Sequence, residues 1–218
     1  MKKLKTATIL NICIVILEVF AVAWMMSGRN SGLLLASRLR ALRYFTVDSN
    51  ILMGIFALIA AVDQRKVLKG EKEGVSTSTY ILKLTGTVGV TLTMLVTIFF
   101  LAPTMAPTYG FLALFTYSNF FLHLLNPILS ILCFLCFEKT DRITFRHTVT
   151  GIVPMLLYAV YYVGAAVSHS ENGVVAKGYD WYGFLAAGVR SAFVVLPLLI
   201  LITWGISAVL WKLNRRNG

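Results

Sequence analysis

Charged side chains are scarce in this sequence of 218 residues, since Asp, Glu, Lys and Arg together make up 13% of it. Soluble domains contain about 25%. Acidic residues are the scarcer kind, because the chain has nine Asp and Glu but 20 Lys and Arg. Hydrophobic residues make up 58% of the sequence. This composition excludes a soluble globular domain, a disordered chain and collagen. It is typical of segments that are solvated by lipid.

Motifs for metal and cofactor chemistry are also missing. The three cysteines all lie inside apolar runs, which excludes an extracellular disulfide framework. The sequence has no glycine-rich phosphate loop, no HExxH or GxSxG motif and no Cys/His cluster. It therefore predicts no metal and no cofactor, and it gives no support to nucleotide hydrolysis or zinc proteolysis.

Six long apolar stretches are present, each close to the ~20 residues that a helix needs to cross about 30 Å of hydrocarbon. The connections between them are short and leave no room for a soluble domain. The sequence predicts an all-α, polytopic membrane protein whose single domain is a bundle of six transmembrane helices. The predicted helices cover about residues 6–26, 44–62, 80–101, 111–137, 147–167 and 184–211.

The distribution of Lys and Arg predicts the orientation of the bundle, because basic residues accumulate in cytoplasmic loops. Thirteen of the 20 lie in the two terminal segments and in the second and fourth loops, and five lie in the other loops. Both termini are therefore predicted to be cytoplasmic, and we expect a multi-pass protein of the bacterial cytoplasmic membrane. The basic surplus is expected to contact anionic lipid headgroups, and it implies no nucleic acid.

The first stretch can also be interpreted as a cleaved signal peptide. Residues 1–23 have a basic tip, an apolar run and an Ala-Val-Ala end that resembles a signal-peptidase site. However, Asn11 and Glu18 interrupt the apolar run, and cleavage would leave five spans. We therefore favour a first membrane span.

Ionisable residues inside a predicted span are costly, and they indicate pairing or function. Lys83 begins the third helix and is predicted to extend its ammonium group to the membrane surface. Glu18, Asp48 and Arg190 are predicted at a similar depth in the outer half, where they could form an ion-pair network. Alternatively, Arg190, predicted about two turns inside the sixth helix, could hold a substrate carboxylate.

The fourth helix carries a polar stripe. Thr116, Asn119, His123 and Asn126 are spaced three, four and three residues apart, so they share one helical face. Pro127 lies four residues after His123 and cannot donate a hydrogen bond to its carbonyl, which predicts a kink. A titratable imidazole and a bent backbone therefore coincide at one turn. This combination favours a functional role for His123 over a purely structural one.

The second helix offers a complementary polar face near its start. Thr46, Ser49 and Asn50 share that face, whereas Asp48 points elsewhere. A single hydroxyl in a membrane helix commonly bonds to the preceding turn or allows close packing. The block of polar residues at 46–50 instead indicates a surface that faces the fourth helix.

At Tyr44-Phe45-Thr46, and at Asn119-x-x-x-His123 with a proline shortly after, the chain resembles the androgen-induced gene one family. These six-helix membrane proteins include threonine hydrolases of lipid esters. The likeness is closer to their bacterial relatives, labelled Pr-six-Pr membrane proteins, which share the FTxxSN start of helix two and the His-to-Pro helix. The resemblance implies that Thr46 is a nucleophile and His123 its partner. The substrates of that family are fatty acid esters of hydroxy fatty acids.

The first hypothesis is therefore an integral membrane hydrolase that acts on a fatty acyl ester among the membrane lipids. A threonine hydroxyl needs an adjacent base, which a neutral imidazole supplies. One alternative is a non-enzymatic carrier or channel for a small polar or acidic solute, which kinked helices and intramembrane charges would also suit. Another is a structural membrane protein without turnover. Candidates for binding the substrate or an oxyanion are Ser49, Asn50, Asn119, Asn126 and Arg190.

Overall fold

Six long helices dominate the computed structural model, which describes residues 1–29, 38–176 and 178–215. Each helix is long and apolar enough to cross a membrane, so the predicted all-α chain with six potential spans is confirmed. The helices are α1 (Lys2–Ser27), α2 (Phe45–Leu68), α3 (Thr77–Tyr109), α4 (Tyr117–Phe137), α5 (Phe145–Ser168) and α6 (Val189–Asn214).

In their described parts, the connections contain three short elements. Two are 3₁₀ helices, Arg38–Arg43 before α2 and Phe111–Phe115 before α4. The third is an antiparallel hairpin of β1 (Ser170–Glu171) and β2 (Val174–Val175) between α5 and α6. The orientation in the membrane stays a prediction, and Lys177 and Arg216, which contribute to the basic count behind it, lie outside the described residues.

Prolines determine where three of the helices depart from α-helical geometry. A proline lacks the backbone N–H and its ring clashes with the carbonyl four residues back, and a wider or tighter turn ahead of it relieves that conflict. Where the sequence predicts a kink, ahead of Pro127, the structure has a π-helical stretch. Three irregular stretches end two residues before a proline: the π-helical Thr97–Leu101 before Pro103, the π-helical Phe121–Leu125 before Pro127, and the 3₁₀-helical Phe145–Ile152 before Pro154. The π-helical Cys133–Phe137 at the end of α4 has no proline after it.

Helix α4 begins at Tyr117 rather than at the predicted Phe111. Gly110 has a φ of +82°, a conformation that favours glycine, and it turns the chain out of α3 into the 3₁₀ helix that precedes α4. Thr116 is extended and lies ahead of the first turn. His123 therefore lies less than two turns inside α4, nearer to the end of the bundle than the predicted start would place it.

The start of α1 and the end of α6 lie at one end of the bundle, which we call the termini end. Asn214 in the last turn of α6 donates an amide hydrogen bond to the carbonyl of Phe134 at 2.6 Å and accepts one from the N–H of Thr140 at 3.2 Å. Met1 and Lys139 line the same open pocket. The opposite end, which contains the starts of α2 and α4, is called the cavity end.

A buried network of four polar side chains joins α1, α2 and α3 to the residue that follows α4. The ammonium group of Lys83 donates a hydrogen bond to Oδ1 of Asn11 at 2.6 Å and lies 3.6 Å from a carboxylate oxygen of Glu138. Asn11 and Gln64 each donate to the other oxygen of Glu138 at 2.7 Å. Lys83 is 0% exposed, so the prediction that it extends to the membrane surface is wrong. The carboxylate and the Asn11 amide oxygen replace its hydration.

We expect Lys83→Met to lower the free energy of unfolding by about 3–5 kcal/mol, because it leaves the Glu138 carboxylate buried without a cation. Adding Glu138→Gln removes that charge and should restore part of the loss. Reversible unfolding of the purified protein in mixed detergent micelles measures both effects.

The matched control for this prediction is Lys69→Met. Lys69 pairs with Glu71, and the two side chains are 55% and 53% exposed. An exposed ion pair of this kind contributes about 0–1 kcal/mol. Equal losses in Lys83→Met and Lys69→Met would contradict the importance of the buried network.

Candidate functional site

A narrow apolar cavity of about 60 Å³ lies between α2, α3, α5 and α6 at the cavity end. Most of its wall consists of aliphatic and aromatic side chains. A cavity of this kind accepts an apolar chain and offers it a few hydroxyl groups. Its hydroxyl-bearing residues are Thr46, Thr93, Thr97, Tyr158, Tyr162 and Tyr182.

Tyr182, in the segment between α5 and α6, fixes the start of α2. Its hydroxyl accepts a hydrogen bond from the N–H of Phe45 at 2.9 Å, a group that the helix itself leaves without a partner. The same hydroxyl adjoins Thr46. Burial raises the pKa of Tyr182 to about 12, so the phenol stays neutral at physiological pH. Tyr158 adds a second brace, because its hydroxyl donates to the carbonyl of Arg43 at 2.7 Å.

Ser49 and Asn50 hold α2 against its neighbours. The Ser49 hydroxyl lies 3.2 Å from the carbonyl of Thr46 and shares a hydrogen bond with the Thr93 hydroxyl at 3.0 Å. Asn50 donates to the Thr46 carbonyl at 2.7 Å and to the Leu122 carbonyl of α4 at 3.2 Å. Its two amide hydrogens are therefore both used. Asn50 links α2 to α4 and leaves no free donor for an oxyanion.

His123 is completely buried in the π-helical stretch of α4. Its Nδ1 lies 2.9 Å from the carbonyl of Leu114, in the 3₁₀ helix that folds back before α4. A carbonyl can only accept, so the bond requires the hydrogen on Nδ1 of the neutral ring. Nε2 then carries the lone pair, and it has no hydrogen-bond partner. The imidazole is thus held in the tautomer that can accept a proton through Nε2.

The turns that carry Thr46 and His123 are joined, but the two residues differ in their relation to the cavity. The hydrogen bond from Asn50 to Leu122 connects the first turn of α2 with the turn of His123. Thr46 lines the cavity, whereas His123 is not among the lining residues. Asn119 and Asn126 are as deeply buried as His123, and their amide groups have no hydrogen-bond partners.

Thr116 does not belong to this site, although the sequence places it on the polar stripe. It is exposed, and its hydroxyl donates to the carbonyl of Ala113 at 2.9 Å. The reason is the late start of α4, which leaves Thr116 ahead of the helix. The buried stripe therefore begins at Asn119.

Arg190 also lies elsewhere than predicted. The sequence places it about two turns inside the sixth helix, but α6 begins at Val189 because Gly188, with a φ of +93°, breaks the chain there. The side chain of Arg190 is exposed in the first turn of that helix.

The predicted ion-pair network of Glu18, Asp48 and Arg190 does not form. Glu18 is 2% exposed, and neither of its carboxylate oxygens has a hydrogen-bond partner. Asp48 is half-buried in a groove that includes Leu52 and Pro154. Among the residues that the structure describes, the ion pairs are Lys69–Glu71, Lys72–Asp63 and Lys83–Glu138.

Four contributors to the site are missed by the sequence. The Leu114 carbonyl has no side-chain signal at all, and Tyr182 resembles an ordinary interfacial anchor. Thr93 and Thr97 are spaced four residues apart on α3, so helical periodicity could have revealed them as one face. Within the described ranges, no group of three or more His, Cys, Asp and Glu side chains could hold a metal ion.

Comparison with known proteins gives one match. A family model described as "Protein of unknown function (DUF1600)" matches residues 116–217, a little under half of the chain. The matched region begins just before α4 and includes α5 and α6, so it contains His123 but not Thr46. No curated protein and no solved structure matches the chain.

We expect ¹⁵N NMR of histidine-labelled protein to show His123 as the tautomer with hydrogen on Nδ1, because the Leu114 carbonyl requires it. The signal is assigned by its loss in His123→Asn. His169 is the internal reference, since its exposed ring is bound only through Nδ1 to the Ala165 carbonyl in its own helix. A His123 signal with hydrogen on Nε2 would contradict the site described here.

Proposed function

We propose that this protein hydrolyses fatty acyl esters of membrane lipids, with Thr46 as the nucleophile and His123 as the general base. The observation that carries the proposal is the state of the His123 imidazole, whose Nδ1 is bonded to Leu114 and whose Nε2 has no partner. A threonine hydroxyl needs such a base to become a nucleophile. The cavity at Thr46 provides a place for the acyl chain.

The reaction requires the Thr46 hydroxyl to approach His123 from the cavity side. In the structure this hydroxyl adjoins Tyr182. Threonine has two accessible χ1 rotamers in a helix, and we infer that rotation between them turns the hydroxyl from Tyr182 towards α4. The bond between Asn50 and Leu122 keeps the two helices in register while the side chain turns.

The chemistry follows from these positions. The Thr46 oxygen attacks the ester carbonyl carbon while its proton passes to Nε2 of His123. Collapse of the tetrahedral intermediate breaks the bond to the alcohol oxygen, which takes that proton and leaves as the free alcohol. Water then attacks the acyl-threonine and gives a proton to His123. The fatty acid leaves as the Thr46 oxygen recovers that proton.

Asn119 is the best placed of the candidate oxyanion donors. Its side chain lies one turn before His123 on the buried face of α4, and both of its amide hydrogens are unpartnered. Asn50 has no free hydrogen, and the Ser49 hydroxyl is engaged with α2 and α3. An amide donor aimed at a developing oxyanion contributes about 2.7–4 kcal/mol to catalysis in other acyl-transfer enzymes.

We infer that the cavity end faces the outside of a bacterial cytoplasmic membrane and that both termini are cytoplasmic. The termini end carries Lys2, Lys3, Lys139 and Arg142 around one open pocket, which supports this orientation. A lipid ester would then reach Thr46 from the outer leaflet. The alternative of a carrier for a small solute stays a prediction.

Thr46→Ala should abolish covalent labelling by a fluorophosphonate probe, because it removes the nucleophile. His123→Ala should reduce the labelling rate by about 10²–10⁴, the usual contribution of a general base. Labelling of the purified protein in detergent, followed by in-gel fluorescence, measures both.

Thr203→Ala is the control for these variants. Thr203 is equally buried, but its hydroxyl donates to the Leu199 carbonyl in α6 and it does not line the cavity. Full labelling is expected in this variant. Undiminished labelling of Thr46→Ala or His123→Ala would rule out the assigned roles.

Ala159→Leu tests the cavity as the binding place of the acyl chain. Ala159 lines the cavity, and the added carbons would displace part of a long chain. We expect KM for a hexadecanoyl nitrophenyl ester to rise about tenfold while KM for the acetyl ester stays unchanged, since each buried methylene contributes about 0.8 kcal/mol. Val160→Leu, on the adjacent and 74% exposed position, should change neither value. Equal effects on both esters would place the chain elsewhere.

A further inference from the structure

A polar layer crosses the bundle between two apolar clusters that are shared by α1, α2 and α4. The cluster nearer the cavity end contains Ala21, Val47 and Leu122, and the cluster nearer the termini end contains Ile14, Met53 and Cys133. Each helix contributes at least one buried polar residue between its two apolar positions. We call Glu18 of α1, Asn50 of α2 and Asn126 of α4 the middle layer.

The middle layer holds an excess of oxygen atoms without hydrogen-bond partners. They are both carboxylate oxygens of Glu18, Oδ1 of Asn50 and Oδ1 of Asn126, and they outnumber the one unpartnered nitrogen of these three side chains, Nδ2 of Asn126. The hydroxyl of Ser130, one turn further along α4, is also buried and unpartnered. All four side chains are at most 2% exposed. A buried polar group without a hydrogen-bond partner costs about 1–3 kcal/mol. Several such groups in one layer therefore indicate a bound species.

The helices approach closely at this layer. A Cβ atom on Gly54 of α2 would lie 3.3 Å from Cβ of Glu18, so glycine there permits the contact between α1 and α2. On the α4 side, the Glu18 carboxylate lies beside the Asn126 amide, although the two do not form a regular hydrogen bond. Glu18 is thus held between two helices with unsatisfied oxygens next to it.

No cation of the protein neutralises Glu18 within the described residues. Lys83 is a buried cation, but it forms a hydrogen bond with Asn11 and an ion pair with Glu138. Asn11 precedes Glu18 by seven residues, or about 10 Å along α1. An isolated carboxylate in the bundle interior must therefore take up a proton or a cation from outside.

A proton explains less than a metal cation does. It would neutralise Glu18 and satisfy one acceptor, but it would leave the oxygens of Asn50, Asn126 and Ser130 unpartnered. An alkali cation binds carboxylate, amide and hydroxyl oxygens together, which are the ligand types that hard cations prefer. The single carboxylate matches a single positive charge, whereas a divalent ion would leave one charge uncompensated.

We propose that the middle layer is a binding site for one monovalent alkali cation, coordinated by oxygens of Glu18, Asn50, Asn126 and Ser130. The site would tie α1 and α2 to α4 at half the depth of the bundle. The proposal is independent of ester hydrolysis, because it involves neither Thr46 nor His123.

The test compares thermal unfolding of the purified full-length protein in detergent with N-methylglucamine, Na⁺ or K⁺ as the only cation at constant ionic strength. Intrinsic tryptophan fluorescence reports Tm. We expect a saturable rise of about 3–6 °C when one alkali cation reaches ten times its Kd, because only the folded protein binds it. The Na⁺ and K⁺ series identify which cation the site prefers.

Glu18→Gln should abolish the rise, because it keeps the shape of the side chain and removes its charge. Glu73→Gln, a change at an exposed carboxylate, should leave the rise intact. Binding of radioactive ²²Na⁺ or ⁸⁶Rb⁺ to the wild-type protein, with one ion expected per chain, provides a measurement that needs no variant.

Three results would overturn the proposal. The first is a Tm of the wild-type protein that is the same in all three cations. The second is an equal rise in Glu18→Gln. The third is a Tm that depends on pH but is unaffected by Na⁺ or K⁺, since this would mean that a proton neutralises the Glu18 carboxylate.

Discussion

Inside a bilayer, a buried polar group has only protein groups or bound species to bond with, and this requirement determines how the helices of this protein are arranged. At the termini end, Glu138 accepts hydrogen bonds from Asn11 and Gln64 and lies near the ammonium group of Lys83. In the middle layer, Asn50 donates both amide hydrogens to backbone carbonyls of α2 and α4. The bundle is therefore held together by matched polar groups, and its unmatched groups mark where other chemistry can take place.

The sequence predicts the helices well and their ends less well, for an identifiable reason. Apolar length alone locates six spans, and the spacing of Asn119, His123 and Asn126 correctly predicts one buried face. The starts of α4 and α6 depend on Gly110 and Gly188 in left-handed conformations. Apolar content does not reveal these, because the residues around both glycines are as hydrophobic as the helices themselves.

Contacts between distant parts of the chain also could not be predicted from the sequence. Lys83 was expected at the surface because its partner, Glu138, follows α4, far along the sequence, and gives no local signal. The candidate site has the same difficulty. The motifs indicate Thr46 and His123 separately, but their relation depends on the bond from Asn50 to Leu122 and on the Leu114 carbonyl. The family match begins after α3, so it includes His123 but not Thr46.

The buried pair of Lys83 and Glu138 also bears on biosynthesis. Lys83 is synthesised 55 residues before Glu138, so the start of α3 can reach the membrane before its anionic partner exists. Its ammonium group must then stay hydrated near the interface or inside the translocation machinery. Helix α3 can therefore reach its final position only after Glu138, which follows α4, has been made. Membrane insertion of the first half of the chain thus depends on the second half.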